Sequence, residues 1–167
     1  APDDAADPGE APSLTDASTP RLSGPDDETM REALREEVRT LVRGARGELD
    51  PDAFERLKEV ESLLVTVLGE MRNIRGGDRD AFIVRQTIRA YLPDALATYR
   101  ALPEEYATEV PIQDGKTARD HLLHQLDLLH RALQEIAGRQ DEDNARRLLI
   151  NSRFLEGKFD ETKKLTD

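Results

Sequence analysis

Apolar residues recur at intervals of three and four along most of the chain, and this spacing predicts amphipathic helices. The first such stretch begins near Asp26 or Asp27 and ends at Gly44 or Gly47. Its apolar side chains fall in an arc of about 120° on a helical wheel, so one side of this helix is expected to be buried. The members of the stripe are Met30, Leu34, Val38, Leu41, Val42 and Ala45.

Two further helices are predicted between residues 50 and 100. Asp50 can cap free backbone amides, and Pro51 suits the first turn, so a long second helix is expected to start here and to end at Gly76-Gly77. Asp78 is expected to cap a third helix, whose apolar stripe keeps its phase through Pro93. We therefore predict a kink at Pro93, or a break with immediate restart, and not a long loop.

The last third of the sequence predicts a loop followed by two helices. Residues 108–115 contain proline and an Asp-Gly pair and are expected to form the loop. Residues 117–120 form a variant of the capping box, with Asp in place of Glu, and start a fourth helix that is expected to end at Gly138. A fifth helix is predicted from about Asp141. Its expected buried stripe consists of Ala145, Leu148, Leu149, Leu155 and Phe159.

Residues 1–25 differ from the rest of the chain. They contain five prolines, no aromatic residue, and only Leu14 and Leu22 as large apolar side chains. Such a segment cannot bury enough surface to offset its ordering entropy, so we predict a disordered acidic arm followed by one helical domain over residues 26–167. The expected fold class is all-α, a bundle of about five mostly antiparallel helices.

Composition agrees with a helical bundle and excludes several classes of site. The 167 residues fit one domain, and with 4% aromatic residues and no Trp the core must consist of Leu, Val, Ile and Ala. The absence of Cys excludes disulfides, thiol nucleophiles and Cys-containing zinc sites. The net charge is −11, concentrated in residues 1–28, which argues against a nucleic-acid partner.

No apolar run reaches the roughly 18 residues that a transmembrane helix needs. We therefore expect a soluble protein and a cytoplasmic location.

Three histidines are the first residues to consider as metal ligands. His121, His124 and His130 lie on the fourth predicted helix, where their spacing directs them to three different sides. They cannot meet at one ion, and we predict no metal site and no cofactor. No pair of carboxylates lies in an apolar setting and no G-x-S-x-G motif occurs, so no catalytic residue is predicted, and the chain is expected to be non-enzymatic.

Arginines concentrate around the turn between the second and third helices. Guanidinium groups beside a Gly-rich turn and a helix start are suited to a phosphate, a carboxylate or an acidic partner surface. Asp78 and Asp80 at the same turn would repel an anion, so salt bridges on a solvated surface are the alternative. The candidate anion or partner surface consists of Arg72, Arg75, Arg79, Arg85 and Arg89.

The stretch from Tyr91 to Tyr99, with the pattern YLPxxLxxY, is the most distinctive in the sequence. It resembles an element of the bacterial XpaC-like helical proteins, which are named for indolyl-phosphate hydrolysis and are related to toxic-anion-resistance proteins of the TelA type. The resemblance covers about residues 60–160. It implies a bacterial helical domain, sometimes linked to envelope stress, and it carries over no catalytic residue.

Amphipathic helices that bring no polar side chains together at one site are more simply explained by binding to another protein than by catalysis. We therefore predict a non-enzymatic protein–protein interaction or scaffold module that binds a protein partner or self-associates. Ile150 and Phe154 lie partly off the stripe of the fifth helix and are the candidate interface residues. The alternative is a metal- or anion-handling, stress-resistance protein of the XpaC/TelA-like type.

Overall fold

A computed structural model describes residues 25–165, and they form an all-α bundle with one very short pair of strands. The segments Arg79–Gln86, Thr87–Tyr91 and Leu92–Arg100 follow one another without a loop, so five helices result within this range. The elements are α1 Pro25–Ala45, α2 Pro51–Glu70, α3 Arg79–Gln86, a π-helical turn Thr87–Tyr91, α4 Leu92–Arg100, α5 Glu104–Glu109, β1 Pro111–Gln113, β2 Lys116–Thr117 and α6 Ala118–Leu165. The predicted disordered arm lies outside the described residues, except for Pro25.

The predicted caps at the starts of α2, α3 and α6 are confirmed. The Asp50 carboxylate accepts a hydrogen bond from the backbone N–H of Ala53 at 2.8 Å, and Asp78 accepts one from Ala81 at 2.9 Å. At the start of α6 the bonds are reciprocal: the Thr117 N–H donates to the Asp120 carboxylate at 3.0 Å and the Asp120 N–H donates to the Thr117 hydroxyl at 3.2 Å. These contacts satisfy amides that a helix start leaves without partners.

The core consists of aliphatic side chains, as the composition predicts. The helices α2 and α6 pack along each other, and α1 and the helix formed by α3 and α4 cover them. The largest side chains with no exposed surface are Leu34, Leu57, Leu64, Leu68, Ile74, Leu92, Leu96, Leu126, Leu133 and Ile136.

Pro93 is accommodated by a π-helical turn. Proline has no N–H to donate, and the backbone N–H of Leu92 donates to the Thr87 carbonyl, five residues earlier. The buried Thr87 hydroxyl donates to the Ile83 carbonyl at 2.8 Å. The helix therefore continues from Arg79 to Arg100, and the prediction that no loop forms at Pro93 is confirmed.

The predicted loop at residues 108–115 instead contains part of a β-hairpin. β1 and β2 pair antiparallel through a turn at Asp114 and Gly115, which have φ angles of 52° and 73°. Positive φ at both central residues is typical of the tight hairpin turns that Asp-Gly favours. The strands of three and two residues are too short to show an alternating pattern, which is why periodicity did not predict them.

The predicted end of a helix at Gly138 and the start of another at Asp141 are wrong, because α6 runs unbroken for 48 residues. A glycine that ends a helix adopts a positive φ, as Gly47 does at 82° after α1, whereas Gly138 does not. Glycine inside a helix costs only about 1 kcal/mol relative to alanine, and the strong helix formers around Gly138 outweigh that cost.

An ion pair joins the start of α2 to the start of α6. Arg119 donates to Asp50, the residue that caps α2. Burial raises the pKa of Asp50, but the hydrogen bonds from Arg119 and Ala53 outweigh this effect and hold the pKa of Asp50 below its usual value.

Asp50→Asn tests this ion pair, since asparagine retains the cap but loses the charge. A lowered folded-state pKa stabilises the protein above the unfolded pKa of about 4, and the stabilisation is lost as the pH falls through the folded value. We expect urea unfolding to show Asp50→Asn less stable than the wild type by roughly 0.5–1 kcal/mol at pH 7, and by less at pH 3. Asp52→Asn removes the second carboxylate, which lies 3.3 Å from the same Arg119 and is largely exposed, and it is expected to have a smaller effect. If Asp50→Asn lowered the free energy of unfolding by the same amount at pH 7 and pH 3, the charge of Asp50 would not contribute to stability, and the ion pair would be contradicted.

Gly138→Ala tests the continuity of α6. A Cβ at this position meets no atom within 4 Å, and alanine favours helix, so we expect the thermal unfolding midpoint to rise, by the equivalent of up to about 1 kcal/mol. If the helix ended here with a left-handed glycine, the same substitution would lower the midpoint.

Candidate functional site

The second half of α6 projects beyond the bundle. The buried side chains of this helix stop at Ile136, and within residues 141–165 every residue is exposed except Arg147, which is partly buried. This projecting segment of 25 residues spans about 37 Å at 1.5 Å per residue. An unsupported helix of this kind is only marginally stable in water, because most helix stability in proteins comes from packing.

The projecting segment carries large apolar side chains in contact with water. Seven of them are at least half exposed: Leu148, Leu149, Ile150, Phe154, Leu155, Phe159 and Leu165. Single exposed apolar residues are ordinary, but a contiguous set on one helix is typical of a surface that another molecule covers.

Most of these side chains lie on two sides of the helix. Leu148, Leu155 and Phe159 belong to one stripe with three- and four-residue spacing, which we call the seam and define as Ala145, Leu148, Ser152, Leu155, Phe159 and Thr162. Ile150 and Phe154 lie on the other side, in continuation of the surface that α6 buries at Leu133 and Ile136. The exposure of Ile150 and Phe154 is compatible with their predicted interface role, which stays a prediction.

The expectation that Ala145, Leu148, Leu149, Leu155 and Phe159 form a buried stripe is wrong, because all five residues are exposed. It treated residues 141–165 as a separate helix that could turn back onto the bundle. Because α6 is continuous, the geometry of a straight helix carries these residues away from the core. A signal was present in the sequence, since Leu148, Leu155 and Phe159 are rotated by roughly 70° from the stripe of Leu126, Leu133 and Ile136.

A cleft of about 640 Å³ lies between α4, β1 and the start of α6. Tyr91, Ile112 and Leu128, each almost half exposed, give it an apolar rim. His121 lies in the cleft, and its buried Nε2 atom has no hydrogen-bond partner among the described residues. Burial raises the pKa of Tyr99, which also lines the cleft, and the negative charge of Asp50 adds to this effect.

The three histidines do not come together. His121 and His130 are partly buried and His124 is exposed. Across residues 25–165, no group of three or more His, Cys, Asp or Glu side chains is placed to hold a metal ion.

Two of the five candidate arginines hold the bundle together. Arg85 donates to the carbonyls of Ile74 and Gly76 at 2.6 and 2.9 Å and thereby fixes the turn between α2 and α3. Arg89 donates two hydrogen bonds of 3.1 Å to Glu37 of α1, and these bonds raise the pKa of Arg89. Arg89 therefore forms a salt bridge, as the alternative expects, whereas Arg85 is bound to backbone carbonyls.

The other three arginines, Arg72, Arg75 and Arg79, are exposed around the same turn. Arg75 pairs with Asp26 at 3.2 Å, and its backbone N–H donates to Asp27 at 3.4 Å. A surface for an anion or an acidic partner at this turn stays a prediction, with Arg75 already engaged by α1.

None of the helices within the described part of the chain combines the length and the apolar character of a membrane span. Comparison with protein-family models, with curated proteins and with solved structures gave no match. The resemblance to XpaC-like and TelA-type proteins therefore stays a prediction.

Removal of residues 141–167 tests whether the projecting segment takes part in the core. At low protein concentration, a chain that ends at Gln140 is expected to unfold in urea with the same midpoint as the full chain, because no side chain from 141 to 165 is buried. The matched contrast is Leu133→Ala, which truncates a fully buried side chain and is expected to cost about 2–5 kcal/mol. A large loss of stability on truncation would mean that the segment packs on the bundle.

Proposed function

We propose that this protein is a non-enzymatic interaction module that contacts another protein molecule through the projecting half of α6. The observation that carries the proposal is the set of seven large apolar side chains, each at least half exposed, on a helix that extends away from its own core. Covering these side chains would remove apolar surface from water and would stabilise a helix that otherwise lacks packing contacts.

The bundle would act as the folded support for this helix. The first part of α6 is anchored through buried leucines and through the pair between Arg139 and Asp80, with bonds of 2.8 and 2.9 Å. We also propose a cytoplasmic location.

The alternative is an anion-handling protein of the type that the XpaC-like resemblance implies. The exposed guanidinium groups at the turn between α2 and α3 favour it, whereas the engagement of Arg85 and Arg89 within the bundle reduces the positive surface available to an anion. We therefore favour the interaction module.

The proposal is tested with a variant in which Leu148, Ile150, Phe154 and Phe159 are replaced by Glu. Tagged protein is used to capture binding proteins from a lysate of its own cells, which also contains untagged copies of the chain. The wild type is expected to retain a specific set of proteins that the variant loses, because charged side chains resist burial. Capture of the untagged chain counts as binding, because the proposed protein partner includes a second copy of this chain.

A double variant, Phe82→Glu with Ile112→Glu, serves as the control, because these apolar side chains are about half exposed on the bundle itself. It is expected to retain what the wild type retains. If the fourfold variant captured the same set as the wild type, or if the wild type bound neither itself nor another protein, the proposal would be wrong.

A further inference from the structure

The seam has the spacing of a two-stranded coiled coil. Its members, Ala145, Leu148, Ser152, Leu155, Phe159 and Thr162, alternate steps of three and four residues without interruption. Such a stripe forms the core of paired helices when a second helix with the same spacing packs against it. The seam of an identical chain meets this requirement.

Resting on the proposed function, we propose that the partner of the projecting segment is a second copy of this chain, packed antiparallel along residues 141–165. In this arrangement Leu148 meets Phe159 of the second copy, and Ser152 meets Leu155 of the second copy. In the outermost layer, Ala145 meets Thr162 of the second copy. By two-fold symmetry each layer occurs twice, so six layers form one continuous core.

The charges along the segment favour the antiparallel orientation. The chain reads acidic at 141–143, basic at 146–147, acidic at 160–161 and basic at 163–164. In the antiparallel arrangement, residues 146–147 lie level with residues 160–161 of the second copy, and residues 141–143 lie beside residues 163–164. A parallel arrangement would place every one of these groups beside an identical charge, which is unfavourable.

The same charges select one alignment of the two helices. In the proposed alignment, Glu142 flanks the seam opposite Lys163 of the second copy, at both ends of the pair. Sliding the helices by one heptad in one direction places Glu142 opposite Glu156, and sliding them in the other direction places Glu156 opposite itself. Both shifts replace an attraction between opposite charges at the edge of the core by a repulsion between like charges.

The alignment is tested by crosslinking, which the absence of native cysteine makes possible. Two single variants of the full chain, Ala145→Cys and Thr162→Cys, change exposed positions that form one layer of the proposed core. A short thiol-specific crosslinker is expected to join the two variants when they are mixed and to leave each variant alone uncrosslinked. In the antiparallel pair, identical positions lie about 25 Å apart along the axis, at 1.5 Å per residue.

Crosslinking of Ala145→Cys with itself would indicate a parallel pair and would overturn the proposal. Absence of crosslinks in the mixture, together with a monomeric mass by light scattering at every concentration, would also overturn it. If that monomeric chain still lost captured proteins on substitution of the projecting segment, the proposed function would stand with a different partner.

The seam is further tested by two double variants with the same added charge. Leu148→Glu with Phe159→Glu places acidic groups in the two symmetric Leu–Phe layers, and we expect the dimer dissociation constant to rise at least about 100-fold. Ile150→Glu with Phe154→Glu changes the other side of the same helix and is expected to leave the dissociation constant within a few-fold of the wild type. The reverse result would assign the contact to Ile150 and Phe154 and would overturn the proposed alignment. Circular dichroism checks that both variants keep their helices.

Discussion

The packing of α2 along the first half of α6 is the interaction on which the other elements depend. Each of these helices presents a stripe of buried aliphatic side chains, and the stripes of α1 and α4 complete the same core. Burial of a large aliphatic side chain contributes about 1.5–3 kcal/mol, so this stripe outweighs the modest surface ion pairs around it. The ion pairs at Asp50 and Asp80 therefore align helices that the core already holds together.

The caps and the apolar stripes were predictable because they depend on neighbours in sequence. Asp50, Asp78 and Thr117 each bond an amide three residues away or less, and a stripe requires only the periodicity of one helix. Continuity through Pro93 was predictable for the same reason. The π-helical turn that achieves it depends on how α3 and α4 pack on the bundle, which the sequence pattern does not contain.

The behaviour of α6 after Gly138 could not be predicted from local signals. Gly138 with three acidic residues at 141–143 suits both a helix end with a new helix start and the exposed interior of a long helix. The apolar stripe of residues 145–159 was predicted from the sequence, but its exposure to water was not. Whether a stripe is buried depends on the presence of another surface, and this information is absent from the periodicity of the stripe itself.

The unbroken backbone of α6 fixes the direction in which its two halves face. Each residue turns the helix by 100°, so the angle between the core-facing stripe and the outer apolar stripe is set by the number of residues between them. Insertion of one residue near Gly138 would leave both stripes intact and would swing the outer one about a quarter turn around the axis. The number of residues near Gly138, between the two stripes, therefore sets the direction in which the outer surface faces relative to the bundle, without any contact between them.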